Sequence, residues 1–168
     1  MKIKIQLLAT TLLIGTATLF YACGGNQTQT EEESASSNVE STQAAPAAGP
    51  VDTKAKSDSK GVGKFTSVEV GAIDAGMAKK GEAIFASKCA ACHQTTDVKV
   101  VGPGLKGVTE RRTPEWIMNM ITNPEEMTKS DPVAKALFEE HLVQMTFQNV
   151  SDDESRSILE FLRENDTK

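Results

Sequence analysis

Cys89-Ala90-Ala91-Cys92-His93 is the stretch that decides how the rest of the chain folds. Two thiols at positions i and i+3 lie on one side of a helical turn, where they can add to the two vinyl groups of a protoporphyrin. The histidine that comes next can then bind the iron from beneath the ring. The stretch therefore predicts one covalently attached haem, with Cys89 and Cys92 forming the thioethers and His93 as an axial iron ligand.

Two other uses of this cysteine pair stay open at the level of sequence. A structural zinc site needs four ligands, and outside the stretch the chain offers only His141 and no second Cys-x-x-Cys pair. A thioredoxin-like disulfide needs a βαβ setting, which the pattern described next does not provide. With three cysteines and two histidines in 168 residues, the full pattern rarely arises by chance.

Helical patterns surround the haem stretch, and no convincing strand pattern accompanies them. Residues 77–89 place small and apolar side chains on one face, and residues 94–112, with Gly102-Pro103-Gly104, have the composition of a loop. Start signals predict three further helices: Thr113-Pro114, Asp131-Pro132, and Ser151 with Glu154 as a capping box. The Thr113 helix is expected to end at Asn123-Pro124, and the Asp131 helix at about Leu142. The sequence predicts an all-α domain over residues 71–168, with a core thin enough to need a bound group.

The N-terminal residues predict export and attachment to a membrane. Lys2 and Lys4 precede an apolar run from Leu7 to Phe20, which is shorter than the roughly 20 residues of a spanning helix. Residues 19–23, Leu-Phe-Tyr-Ala-Cys, resemble a bacterial lipobox. We therefore expect residues 1–22 to be a lipoprotein signal peptide and Cys23 to carry lipid, facing the periplasm. The alternative is an ordinary secretory signal or an uncleaved anchor, with Cys23 as a spare thiol.

Residues 23–70 are expected to be a flexible tether between the lipid and the domain. From Gly24 to about Lys64 the only large aliphatic residues are three valines, and there is no aromatic residue. Such a segment cannot bury enough apolar surface to offset its ordering entropy. Without residues 1–22, 16 basic residues face 23 acidic ones, so nucleic acid is not an expected partner.

From Gly76 to Asn165 the chain resembles the class I cytochrome c family. Gly81-Glu82-Ala83-Ile84-Phe85 is similar to the family's GxxxF motif, which implies that the C-terminal helix crosses closely at Gly81 and that Phe161 meets Phe85. Gly102-Pro103-Gly104-Leu105 resembles the family's loop after the haem stretch. That likeness implies a hydrogen bond from the second ring nitrogen of His93 to the Pro103 carbonyl. The resemblance implies about four to five helices around one haem.

The resemblance also implies a methionine as the sixth iron ligand. Met145 lies six residues before the cap Ser151, as in the family's order of methionine, short loop and capped helix, although Thr146 replaces the family's usual proline. Met127, in the loop expected after Pro124, and His141 are the alternatives. The other methionines are excluded because Met118 and Met120 fit a helix core and Met77 comes too early.

Two further side chains have open assignments. His141 follows two glutamates on its helix and is expected at the surface. Trp116 is expected either to donate its indole N–H to a haem propionate, as an analogous tryptophan does in parts of the family, or to pack in the core.

An iron with both axial positions filled predicts a single-electron carrier and not an enzyme. The resemblance implies redox proteins as partners, with a quinol-oxidising complex upstream and a terminal oxidase or denitrification reductase downstream. There are two alternatives. One is a haem enzyme or sensor with an open iron site, such as a peroxidase, and the other is a tethered subunit of a respiratory complex.

Charge is distributed unevenly along the domain. Residues 71–112 hold seven basic and four acidic residues, whereas residues 113–168 hold five basic and twelve acidic residues. This asymmetry predicts a dipole that steers docking.

Overall fold

Six helices lie within residues 50–168, the part of the chain that this computed structural model describes. They are α1 (Ala75–Lys88), α2 (Val108–Arg111), α3 (Pro114–Thr122), α4 (Pro124–Ser130), α5 (Pro132–His141) and α6 (Asp152–Asn165). No strand occurs in this range, where only an isolated antiparallel bridge pairs His93 with Lys99. None of these six helices is long and apolar enough to cross a bilayer. The predicted all-α fold is confirmed.

Two helices lie where the sequence predicted loops. The four-residue helix α2 falls in the segment after the haem stretch, and α4 begins at Pro124, directly after α3 has ended. A proline both ends the preceding helix and suits the first position of the next one. The expectation of a loop around Met127 is therefore wrong, and residues 50–168 hold six helices instead of four to five.

Helices α1 and α6 cross at a glycine, as the resemblance to the cytochrome family implied. A Cβ atom on Gly81 would lie only 1.9 Å from the Ser157 carbonyl oxygen, so the two backbones touch there. One turn further along α1, the rings of Phe85 and Phe161 lie with their centroids 5.4 Å apart. Because α1 leads directly into the haem stretch, this crossing fixes the stretch to the C-terminal helix.

Replacing Gly81 by alanine is expected to destabilise the protein by about 3 kcal/mol, since the new methyl group would overlap backbone that cannot rotate away. Denaturant unfolding followed by circular dichroism measures this loss. Gly71→Ala is the matched control, because a Cβ atom there meets nothing within 4 Å and should change stability by less than about 0.5 kcal/mol. Equal losses in the two variants would contradict the close crossing.

Residues 53–68, which we name the strap, pack across α3. Asn119 makes three of the contacts: its side-chain amide donates to the carbonyls of Lys60, at 3.0 Å, and Phe65, at 2.9 Å, and its oxygen accepts the Phe65 N–H at 3.1 Å. Glu115 accepts the Val68 N–H at 3.1 Å, and Arg112 donates to the Ala55 carbonyl at 2.7 Å. Buried side chains of α3, together with Arg112 two residues before it, thus satisfy the strap's backbone.

The strap corrects the predicted domain boundary. Residues 23–70 were expected to form a flexible tether, but from residue 53 onward the chain is hydrogen-bonded to the helical domain. Composition did not indicate this, because polar side chains of the domain hold the strap by its backbone and the strap has only three large apolar side chains to pack on the core, Val62, Phe65 and Val68. The remainder of the predicted tether up to residue 49, the signal peptide and Cys23 lie outside the described residues.

Candidate haem site

The haem stretch forms a tight turn at the C-terminal end of α1. Cys89 is the C-cap residue, and its N–H donates to the Phe85 carbonyl at 2.8 Å. The N–H groups of Cys92 and His93 both donate to the Cys89 carbonyl, at 3.0 and 2.9 Å. The turn therefore brings both thiols and the imidazole together, and both cysteines are free, with Cys89 half-buried and Cys92 exposed.

The imidazole of His93 is held by the loop that follows the haem stretch. Its Nδ1 atom lies 2.9 Å from the Pro103 carbonyl oxygen, which is the contact that the family resemblance implied. This hydrogen bond fixes the proton on Nδ1 and leaves Nε2 free for iron. A Cβ atom on Gly102 would lie 2.4 Å from Cε1 of the ring, so only glycine lets the loop approach this closely.

Burial shifts the pKa of one thiol and of the imidazole at this site. Burial raises the pKa of the Cys89 thiol to about 11, although Lys88 opposes the shift, so the thiol is protonated at neutral pH. Burial is also the largest cause of the lowered pKa of His93; the Pro103 bond raises that pKa in part, and His141 lowers it again. A neutral imidazole is the form that binds iron.

The zinc and disulfide alternatives find no support at this site. A structural zinc site needs four ligands. Among residues 50–168, no group of three or more histidine, cysteine, aspartate or glutamate side chains could hold a metal ion. The all-α fold also lacks the βαβ setting of a thioredoxin-like disulfide.

The apolar surface of the domain also fits a haem. Seven of the ten exposed large apolar side chains within the described range lie in two segments, 98–101 after the haem stretch and 138–147 around Met145. Concentrated exposed apolar side chains mark a binding surface. Together with two free thiols and an imidazole with one free nitrogen, they match the chemistry of an apolar, covalently attached macrocycle.

Met145 is half-buried in the loop between α5 and α6. The Gln144 side chain fixes its backbone, because the amide nitrogen donates to the Met145 carbonyl at 2.9 Å. Thr128, a buried residue of α4, donates to the Gln144 side-chain oxygen at 2.9 Å. Sequence reasoning missed Gln144 and Thr128, since nothing but adjacency to Met145 pointed to the first and nothing to the second.

Of the alternative iron ligands, Met127 is not supported. Its side chain is fully buried in α4, and its sulfur lies 2.9 Å from the Val62 N–H of the strap, which donates to it. Met118 is likewise buried in the core, at 3% exposure, as expected.

The structure places the two side chains with open assignments, His141 and Trp116. His141, the last residue of α5, was expected at the surface, but its side chain is only 9% exposed. Trp116 is 4% exposed and donates its indole N–H to Asp131 at 3.0 Å. That donor is taken, so the structure favours the core assignment of Trp116 over a propionate contact.

The helical fold and the attachment site define a monohaem c-type cytochrome of class I. The family model for cytochrome c matches residues 78–166. Cytochrome c from Rhodothermus marinus is 40% identical, with a TM-score of 0.61, over 62% of this chain and 90% of that one. An engineered Rhodothermus marinus cytochrome c, Rma TDE, is 39% identical with a TM-score of 0.61, over 63% of this chain and 92% of that one.

The same engineered protein bound to a carbene intermediate, 1-ethoxy-1-oxopropan-2-ylidene, also matches, with a TM-score of 0.59 and 39% identity over 63% of this chain and 92% of that one. No curated protein sequence matched significantly. The chain belongs to the cytochrome c family, its cofactor is one covalent haem c, and its function is haem-based electron transfer.

Proposed function

We propose that this chain is a single-electron carrier whose haem iron is bound by His93 and Met145, and that it works outside the cytoplasm on a lipid anchor at Cys23. The observation that carries the ligand assignment is the fixed backbone of Met145, tied through Gln144 to Thr128 of α4. No other methionine of the described range lies in a comparable loop, because Met77, Met118, Met120 and Met127 are all helical.

The haem, when bound, supplies one-electron chemistry by alternating between ferric and ferrous iron. The chain's own contribution is to hold both ligands still. Pro103 accepts the Nδ1 proton of His93 and fixes the ring, while Gln144 fixes the backbone of Met145. Ligands that keep their positions in both oxidation states leave little to reorganise, so electrons can be exchanged quickly and no site opens for a substrate.

Four lysines are the proposed docking charges for an acidic redox partner. Of the seven basic residues in the haem-stretch half, Lys88 pairs with Glu154 at 3.0 Å, and the two arginines donate to backbone carbonyls. The other four have no ion pair among the described residues and are exposed: Lys79, Lys80, Lys99 and Lys106. A quinol-oxidising complex upstream and a terminal oxidase or denitrification reductase downstream remain the proposed partners, with transient interfaces.

The strap sets the reach of the proposed lipid anchor. Thr53 donates to Glu140 at 2.6 Å, so the connection to Cys23 is limited to residues 24–52. A flexible coil of this length would have a root-mean-square span of about 30 Å. The domain would therefore stay within a few tens of ångströms of its membrane.

The optical spectrum of the holoprotein, matured in a host that attaches haem, tests the proposal. We expect a low-spin spectrum with a methionine-to-ferric-iron charge-transfer band, no CO binding by the ferrous form, and rapid reduction by a redox partner. A high-spin, CO-reactive spectrum would instead indicate an enzyme or sensor. Stable co-purification with a larger complex would indicate a structural subunit.

Replacing Gln144 by alanine is expected to loosen the Met145 loop by about 1 kcal/mol, since one hydrogen bond to its backbone is lost. The charge-transfer band should then bleach at a lower denaturant concentration than in the wild type, before the helices unfold. Gln148→Ala is the control, because the exposed Gln148 bonds only to Thr146 in the same loop. Identical bleaching curves for both variants would argue against the role of Gln144.

A further inference from the structure

The carboxylate of Asp166, the residue that ends α6, also caps helix α2. One of its oxygens accepts the Gly107 N–H at 2.7 Å, and the other accepts the Thr109 N–H at 3.0 Å and the Thr109 hydroxyl at 2.7 Å. Gly107 is the N-cap residue of α2 and has no side chain that could accept these protons. The first N–H groups of a helix need acceptors from outside it, so α2 depends on a residue that is distant in the sequence.

The preceding residue, Asn165, holds the loop that leads from the haem stretch to α2. We name this loop, residues 94–107, the haem loop. The side-chain amide of Asn165 donates to the Thr95 carbonyl near the start of the haem loop, at 3.1 Å. Within the loop, the Leu105 N–H donates to the Gln94 carbonyl at 2.8 Å and closes the loop on itself. Two consecutive residues at the end of α6 therefore hold both ends of a closed loop.

Helix α6 is a fixed reference for the haem loop. It crosses α1 in backbone contact at Gly81, and α1 leads directly into the haem stretch. Helix α6 is thus connected to His93 by two routes, one through α1 and the other through the haem loop. The Pro103 carbonyl, which belongs to this loop, lies 2.9 Å from Nδ1 of His93. The position of that carbonyl relative to the ring therefore depends on where α6 holds the loop.

We propose that Asp166 and Asn165 are positioning residues for His93, which they serve by holding the haem loop against its imidazole. The inference rests on the proposed function in taking His93 as an iron ligand, and it is independent of the Met145 assignment. The hydrogen bond that Nδ1 donates to Pro103 makes the other ring nitrogen a stronger donor to iron. A stronger donor favours ferric iron, so a loosened haem loop should raise the midpoint potential.

Asp166→Ala removes all three acceptor contacts to α2. We expect the Nδ1 proton of His93 to exchange with solvent about tenfold faster, the factor that corresponds to losing one hydrogen bond to a charged group. The ferrous-to-ferric equilibrium should shift toward ferrous by about threefold, or about 30 mV in midpoint potential. Proton NMR of the holoprotein in D2O measures the exchange, and spectroelectrochemical titration measures the potential.

Two variants separate the loss of charge from the loss of the contacts. Glu164→Ala removes a carboxylate from the same end of α6, where it pairs with the exposed Lys168 at 3.2 Å, and should leave exchange and potential at their wild-type values. Asp166→Asn removes the charge but keeps one acceptor oxygen, so its exchange rate should lie between those of the wild type and Asp166→Ala.

Asn165→Ala is a second test of the same inference, which serves if circular dichroism shows that Asp166→Ala does not fold. It removes only the contact with the Thr95 carbonyl. Both readouts should therefore move in the same direction as in Asp166→Ala, by a smaller factor.

The inference is wrong if folded Asp166→Ala exchanges like the wild type, or if Glu164→Ala shifts the potential equally, since charge alone would then explain the shift. The charge-transfer band of Met145 distinguishes this failure from failure of the proposed function. If the band is present in the wild type and in every variant while exchange is unchanged, the electron carrier stands and Asp166 has no positioning role. If the wild type lacks the band and exchange still rises in Asp166→Ala, the Met145 assignment fails and the inference stands.

Discussion

The double variant Cys89→Ser/Cys92→Ser is expected to emerge from a haem-attaching host without covalent haem. Serine preserves the size of each side chain and the backbone turn at the Cys89 carbonyl, but its hydroxyl does not form the thioether. Haem staining on a denaturing gel measures the loss, which should be complete. Because the apolar segments 98–101 and 138–147 are exposed in the protein chain, we also expect the variant to be substantially less stable than the holoprotein.

Cys23→Ser is the matched control, since it removes the third cysteine and leaves the haem stretch intact. It should stain for haem like the wild type and lose only the proposed lipid, which separates attachment of the cofactor from attachment to the membrane. Covalent haem retained in the double variant, or zinc bound stoichiometrically by the wild type, would contradict the assignment of Cys89 and Cys92.

Local signals in the sequence predicted most of the helical frame. Thr113 accepts the Trp116 N–H at 3.1 Å, and Ser151 and Glu154 form the reciprocal capping box, so both helices begin where their caps indicated. Caps and the haem stretch are short-range chemistry, and a few consecutive residues determine them. The same holds for the contact between His93 and Pro103, which the loop motif implied.

Features that depend on distant parts of the chain were not predictable in this way. The strap has few apolar residues, and its order depends on contacts made elsewhere in the chain. Asn119, more than fifty residues away, satisfies its backbone, and Val62, Phe65 and Val68 pack on the core. His141 follows two glutamates and has the pattern of a solvated face, yet its side chain is only 9% exposed. Tertiary contacts override local pattern in both cases.

Both proposed iron ligands are held by a side chain or a carbonyl on a neighbouring loop or helix. Pro103 holds His93 from the loop after the haem stretch, and Gln144 ties Met145 to α4. Helix α4 is in turn fixed to the strap, since the Val62 N–H donates to the sulfur of Met127. The strap thus supports the Met145 loop indirectly, through α4. None of the strap's own side chains is a proposed haem ligand, yet the strap helps to keep the Met145 loop rigid.

Replacing Met145 by alanine is expected to change the haem more than any other substitution that leaves the haem attached. Loss of a thioether ligand, which favours ferrous iron, should lower the midpoint potential by on the order of 0.2 V, part of the roughly 0.8 V range that axial ligands set. The charge-transfer band should vanish, and the ferrous protein should bind CO at the opened position. Spectroelectrochemical titration and CO difference spectra measure these changes.

Met77→Ala is the control, since Met77 is also half-buried but lies on α1. Its spectrum, potential and inertness to CO should match the wild type, because it removes an equal volume without touching the ligand loop. If Met145→Ala kept the wild-type spectrum and potential, the sixth ligand would have to come from elsewhere. His141, the other alternative that the sequence left open, would then be the first candidate, and a low-potential bis-histidine spectrum would identify it.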